Sequence, residues 1–172
     1  KKNNFFLLYG NNEGLKNNVI NKIIKGNQTL KYDEYEVLND QDQFYENATI
    51  NSLFEANKTI VIKRATDKIL EIILEVFNKN NKDTCIILNA SALDKRSKLR
   101  SFFEKEKRVV CIAFYPDNEQ TLSKLAYNFF SEKKITISQE NINLIISKCN
   151  DDRNNLLNEL TKIENFAVKG RK

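Results

Sequence analysis

The chain of 172 residues has no histidine, no methionine and no tryptophan, one proline, four glycines and three cysteines. Without histidine, Ser-His and Cys-His catalysis lack their usual base. Without histidine or a Cys-x-x-Cys pair, a structural zinc site has no ligand set. No catalytic residue, metal ligand or cofactor is therefore expected. Cys85, Cys111 and Cys149 are odd in number and far apart, the first two in apolar strand-like runs and the third late in a helical stretch. That pattern reads as buried, reduced thiols in a cytoplasmic protein. No apolar run approaches the roughly 18–20 residues that span a bilayer, and nothing at the N-terminus reads as a signal peptide, so no membrane partner is expected. The lack of even an initiator methionine suggests a fragment or a trimmed chain.

What is present is ordinary for a globular protein: 41% hydrophobic and 30% charged residues, enough for one α/β domain and a smaller module. The net charge of +5 permits nucleic-acid contact without demanding it. Basic residues are scattered, and the abundance of Asn, Lys and Ile fits an AT-rich coding sequence equally well.

Along the chain, Phe5–Tyr9 is a continuous apolar run ending at Gly10, the profile of a central strand entering a turn at Asn11–Gly14. Leu15, Val19, Ile20, Ile23 and Ile24 then recur at helical spacing up to Gly26. Glu34–Leu38 reads as a short edge strand, Asp40–Asn47 as helix or turn, and Ala48–Ala56 as a short helix. Thr59–Ile62 is a buried strand between Lys58 and Lys63. Lys68–Lys79 is helical, Thr84–Leu88 a strand, Asp94–Lys105 a charged helix with Asp94 as its N-cap, and Val109–Tyr115 a fifth strand. Alternation of this kind predicts an α/β fold with a mostly parallel five-stranded sheet. Pro116 marks a boundary, and three short helices follow: Asn118–Ser131, one capped by Ser138, and one starting at Asp151 or Asp152.

Two stretches invite chemistry. A strand, a glycine turn and a helix form the setting of phosphate-binding loops. Counted from Gly10, a Walker A pattern needs Gly, Lys and Ser or Thr at 15, 16 and 17, and the chain has Leu15, Lys16 and Asn17. Lys16 alone fits, so ATP binding of the usual kind is not expected. The other stretch holds Leu53 and Phe54, neighbours that point about 100° apart on a helix and cannot share the centre of one buried stripe. Either Leu53 packs inward and Phe54 closes the core edge, or the pair forms an exposed wedge for a partner's apolar pocket. Lys95, Arg96, Lys98 and Arg100 cluster at one helix start, as a solvated face or as a contact for DNA or a neighbouring subunit.

Phe6-Leu-Leu-Tyr-Gly10, Ser52-Leu-Phe-Glu55 before an apolar strand, Leu93-Asp-Lys-Arg-Ser-Lys-Leu99 and the Asn150–Ile163 helix occur in one order. Together they resemble the delta subunit of the bacterial DNA polymerase III clamp loader over nearly the whole chain. The resemblance implies a RecA-like AAA+ core over residues 1–116, a small helical lid over 117–172 and a C-terminal collar domain not included in this chain. Strand spacing alone equally allows a flavodoxin-like order. The implied function is to bind and help open the sliding clamp ring for loading onto primed DNA, with Leu53 and Phe54 as the clamp-binding wedge. The partners implied are the beta clamp, the other loader subunits and primed DNA, within a polymerase holoenzyme in which this subunit hydrolyses no ATP. Arg153 falls where AAA+ ATPases sense nucleotide, though without a Walker A motif a structural role is expected. The Ser-Arg-Cys arginine-finger motif of related subunits is absent. The alternatives are a divergent P-loop-like ATPase using Lys16 and a basic DNA-binding module.

Overall fold

The structure is a computed structural model and describes residues 4–24, 26–49, 58–79, 83–150 and 152–169. The chain divides into two compact units, one ending at Phe114 and the next beginning at Tyr115.

In the first unit, β1 (Phe5–Gly10), α1 (Glu13–Ile24), β2 (Gln28–Asp33), α2 (Glu34–Asn39), α3 (Gln41–Thr49), β3 (Lys58–Lys63), α4 (Leu70–Asn78, entered through a 3-10 turn at Asp67–Ile69), β4 (Thr84–Ala90), α5 (Lys98–Lys105) and β5 (Val110–Phe114) follow one another. The sheet order is β2-β3-β4-β1-β5, and every pairing is parallel, where the sequence predicts a mostly parallel sheet. A flavodoxin-like sheet places β1 between β2 and β3. Here β1 lies between β4 and β5, which removes that alternative.

Side chains alternate across the sheet as strand geometry requires. Leu7, Ile60, Ile62, Ile86 and Leu88 face a core shared with Ile69, Ile73 and Val76 of the α4 region and Leu99 and Phe103 of α5. Leu8, Val61 and Ile87 face the other way, onto Leu15, Val19 and Ile20 of α1. These strands read as unbroken apolar runs because both of their faces are covered.

Three expectations fail here. Glu34–Leu38 is helical, and the second strand is Gln28–Asp33. Asp33 begins α2 through a reciprocal capping box: its carboxylate accepts from the Tyr35 N–H, and the Glu36 carboxylate accepts from the Asp33 N–H at 2.6 Å. The strand before it is a half-exposed edge with a mixed polar sequence, which gives little periodic signal. The second failure concerns α5, which starts at Lys98 with Ser97 as its N-cap. Asp94 instead accepts from the Arg96 N–H in a turn outside the helix. Cys85 and Cys111 are half-buried, and only Cys149 is buried.

The second unit holds α6 (Glu119–Glu132), α7 (Gln139–Lys148) and α8 (Arg153–Lys169). Leu122, Ala126, Phe130, Ile142, Ile146, Leu156 and Leu160 form its own core. Asn118, Ser138 and Asp152 cap the three N-termini, each accepting from a backbone N–H three residues on.

Candidate functional site

In a parallel sheet every strand exits on one edge, and in open α/β folds ligands bind on that edge. The β1–α1 turn lies there. Gly10 has a φ of +122°, and a Cβ at this position would stand 2.1 Å from the Phe114 carbonyl oxygen. Glycine therefore lets the exits of β1 and β5 close on each other. Only Asn11 and Asn12 separate β1 from α1, so the turn is shorter than Asn11–Gly14. Asn12 is buried, its side-chain oxygen accepts from the Leu15 N–H at 3.0 Å, and its carbonyl accepts from the Lys16 N–H at 3.0 Å. The helix N-terminus is thus capped by the chain itself.

Lys16 is fully buried. Its ammonium donates to the Ala90 carbonyl at 2.6 Å and pairs with the Glu13 carboxylate at 2.6 Å. Ala90 ends β4, the neighbour of β1, so Lys16 ties the first turn of α1 to the exit of the adjacent strand. A phosphate at this turn would meet a capped N-terminus, a lysine already neutralised and the carboxylate of Glu13. Chemically the arrangement is a closed strut.

On the same edge, the exits of β3 and β4 are joined by Asp67. Its carboxylate accepts from the Ser97 hydroxyl at 2.6 Å and from the N–H groups of Lys98 and Leu99, each at 3.0 Å. The Ala65 N–H also donates to the Asn89 carbonyl at 3.1 Å. The Ser97 hydrogen bond, chiefly, holds the Asp67 carboxyl below its ordinary range, helped by the two backbone donors and the Lys98 charge, against desolvation.

The four clustered basic residues separate into two groups. Lys95, Arg96 and Lys98 are exposed and, with Lys105, line a shallow cleft of about 520 Å³. Arg100 turns away from it. Its guanidinium lies 5.0 Å from the Tyr9 ring centroid, donates to the Leu93 carbonyl at 3.0 Å and pairs with Glu104 at 2.8 Å, so it braces α5 against β1.

Leu53 and Phe54 lie in segment 50–57, outside the described residues. Its flanks are described. The Lys58 ammonium donates to the Asn47 carbonyl at 3.0 Å, and the Lys58 N–H donates to the Asp83 carbonyl at 3.1 Å. These contacts fix the end of α3 and the entry of β3, the sheet edge opposite the β1–α1 turn.

In the second unit, Arg153 makes a two-pronged pair with Asp117, with Nε and Nη2 at 2.7 and 2.6 Å from the two carboxylate oxygens. Both side chains are nearly buried, so the guanidinium is committed to holding α8 against the approach to α6.

Sequence reading missed Glu13, Asn12, Asp67 and Asp117. Asn12 carries an N-cap signal two residues after the glycine. Asp67 and Asp117 act across 30 to 36 positions, a separation no local pattern reports.

No family model matches the sequence, and no curated protein matches it significantly. Among solved structures the chain is similar to the Bacillus subtilis DNA clamp loader delta protein, with a TM-score of 0.70 at 17% identity over 95% of this chain and 53% of that one. The chain has the RecA-like AAA+ fold. It is also similar to Drosophila ORC bound to DNA, with a TM-score of 0.51 at 13% identity over 94% of this chain and 55% of that one. The chain spans about half the length of these two.

Proposed function

We propose that this chain is the clamp-opening subunit of a replicative clamp loader, binding the sliding clamp through Leu53 and Phe54 and transmitting no nucleotide cycle of its own. The observation that carries the reading is Lys16. The surviving lysine of the Walker pattern is withdrawn from solvent and held by Ala90 and Glu13, in a fold whose solved neighbours include a clamp loader delta protein. An AAA+ fold with its phosphate position filled by its own side chains suits a subunit that responds to neighbours, with residues 117–172 as its lid. The wedge would favour the open ring by binding it better than the closed one, since only differential affinity shifts such an equilibrium. ATP in neighbouring subunits would control access to the wedge. The beta clamp, the other loader subunits and primed DNA are the partners, in the cytoplasm, within a DNA polymerase holoenzyme.

Calorimetry of this chain with its cognate clamp, beside a Leu53→Ala/Phe54→Ala variant, tests the reading. Anchors of this kind cost about 2 kcal/mol or more each when truncated, so affinity falls by well over tenfold while the melting temperature holds. A variant that binds normally but melts early makes the pair core residues. No binding by the unaltered chain removes the function and leaves the fold.

A further inference from the structure

The two edges of the parallel sheet are built differently. At one edge β2 reads Gln28-Thr-Leu-Lys-Tyr-Asp33, with an exposed lysine in mid-strand, a side chain that keeps an edge from pairing with a foreign strand. At the other edge β5 reads Val110-Cys-Ile-Ala-Phe114, with no charge, no proline and no glycine. Its one neighbour in the sheet is β1. Among the described residues, the β5 backbone makes a single backbone bond outside that ladder, from the Asn12 N–H to the Phe114 carbonyl at 3.4 Å. An edge strand turns a row of N–H and C=O groups away from its neighbour, so β5 offers that row to an extended backbone.

The side chains decide which backbone suits it. Ile112 is 38% exposed, and among the described residues it is the one large apolar side chain of the sheet that is exposed. It pairs in register with Leu8 and so lies on the α1 face of the sheet. Cys111 and Ala113, small and half-buried, lie on the other face. An antiparallel copy of β5 centred on Ile112 sets this residue against itself, Cys111 against Ala113 and Val110 against Phe114. Every side chain of the strand then meets an apolar one on its own face. Lys107 and Arg108, both exposed before the strand, fall at opposite ends of such a ribbon. A parallel copy would set each of them against its like, which is destabilising. A patch that complements itself about a two-fold axis is the commonest basis of a closed dimer.

We propose that the free edge of β5 is a self-association surface, on which a second copy of this chain adds its own β5 antiparallel about Ile112 and joins the two sheets into one. Five residues pair over about 17 Å. That seam is short, so the dimer belongs to the weak, concentration-dependent class. The inference does not rest on the clamp-binding reading.

The test is sedimentation equilibrium of the full 172-residue chain from micromolar to millimolar concentration, joined to cysteine crosslinking. The chain should show a monomer–dimer equilibrium. Ile112→Lys, at a position outside the apolar cores, should weaken the dimer about tenfold at an unchanged melting temperature. Leu144→Lys, at an exposed position of the second unit, should leave the dimer as it was. In a Cys111→Ser background, Ile112→Cys should form an intermolecular disulfide under diamide, since directly opposed residues stand within disulfide reach. Val110→Cys, set against Phe114 in this register, should not. These two conservative variants read the interface should Ile112→Lys disturb the fold. Leu53→Ala/Phe54→Ala should dimerise normally, so clamp binding and self-association fail separately. The proposal is overturned by a monomer at every concentration, by equal losses in both lysine variants, or by crosslinking that does not prefer Ile112→Cys over Val110→Cys. A chain that stays monomeric while a synthetic Val109–Tyr115 peptide binds it would assign the edge to a strand of another protein.

Discussion

An ammonium withdrawn from water is costly unless its donors are met, and Lys16 meets two of them through Ala90 and Glu13. Replacing it by methionine keeps the stem and strands the Ala90 carbonyl, while Glu13, half in solvent, rehydrates. Lys16→Met should therefore destabilise by about 1–3 kcal/mol, the cost of one unsatisfied buried acceptor, as a shift of the urea midpoint with unchanged slope. Gly10→Ala fails for a backbone reason. Its positive φ and the clash with Phe114 together cost at least about 1–3 kcal/mol, read in the same titration. Both residues stood out in the sequence, as a glycine and a lysine at Walker spacing. What the sequence withheld was their occupancy, because the groups that fill the turn come from Ala90 and Phe114, more than seventy positions away.

At the level of the element, helix ends are stitched from a distance. Asp67→Ala uncaps α5 and should cost about 1 kcal/mol at neutral pH. The Asp67 carboxyl is lowered from 3.8 in the fold, so its stabilisation is present above that value and is lost as pH falls through the lower folded one. The gap between the original chain and the alanine variant, measured by denaturant titration, should thus close on acidification below 3.8. Arg153→Met leaves Asp117 nearly buried without its fork and should cost about 3 kcal/mol. Arg153→Lys recovers only part of that, because an ammonium cannot bond both oxygens in one plane. The apolar strands and the three terminal helices were legible, since each repeats its period for several residues. The edge strand Gln28–Asp33 was not, because none of its six residues is buried, and Tyr35, Val37 and Leu38 mimicked a strand just beyond it. There the pairing of Asp33 with Glu36 was the better signal.

For the whole molecule, several half-buried acids push stability the same way. Burial drives the Cys111 thiol from 9.0 up to about 11 and the Tyr45 phenol from 10.0 up to about 12, and it also raises Tyr32. Their contribution is complete below the unfolded values and is lost as pH climbs from about 9 through the raised folded ones. Thermal melts should hold level to about pH 9 and fall beyond it, and Cys111→Ser should blunt the early part of that fall. At pH 7 the same thiol should alkylate slowly although half-exposed, because its thiolate is scarce.

The closed turn after β1 also has an evolutionary reading. Leu15→Gly and Asn17→Thr would restore the letters of a nucleotide loop without reopening it, because Asn12 would still start the helix and Glu13 would still hold Lys16. Leu15→Gly also loses the apolar packing of α1 on the sheet before any ligand could repay it. Selection acting one residue at a time would meet a barrier at Leu15 and Lys16, so a lineage that took this form would be held there by its own packing.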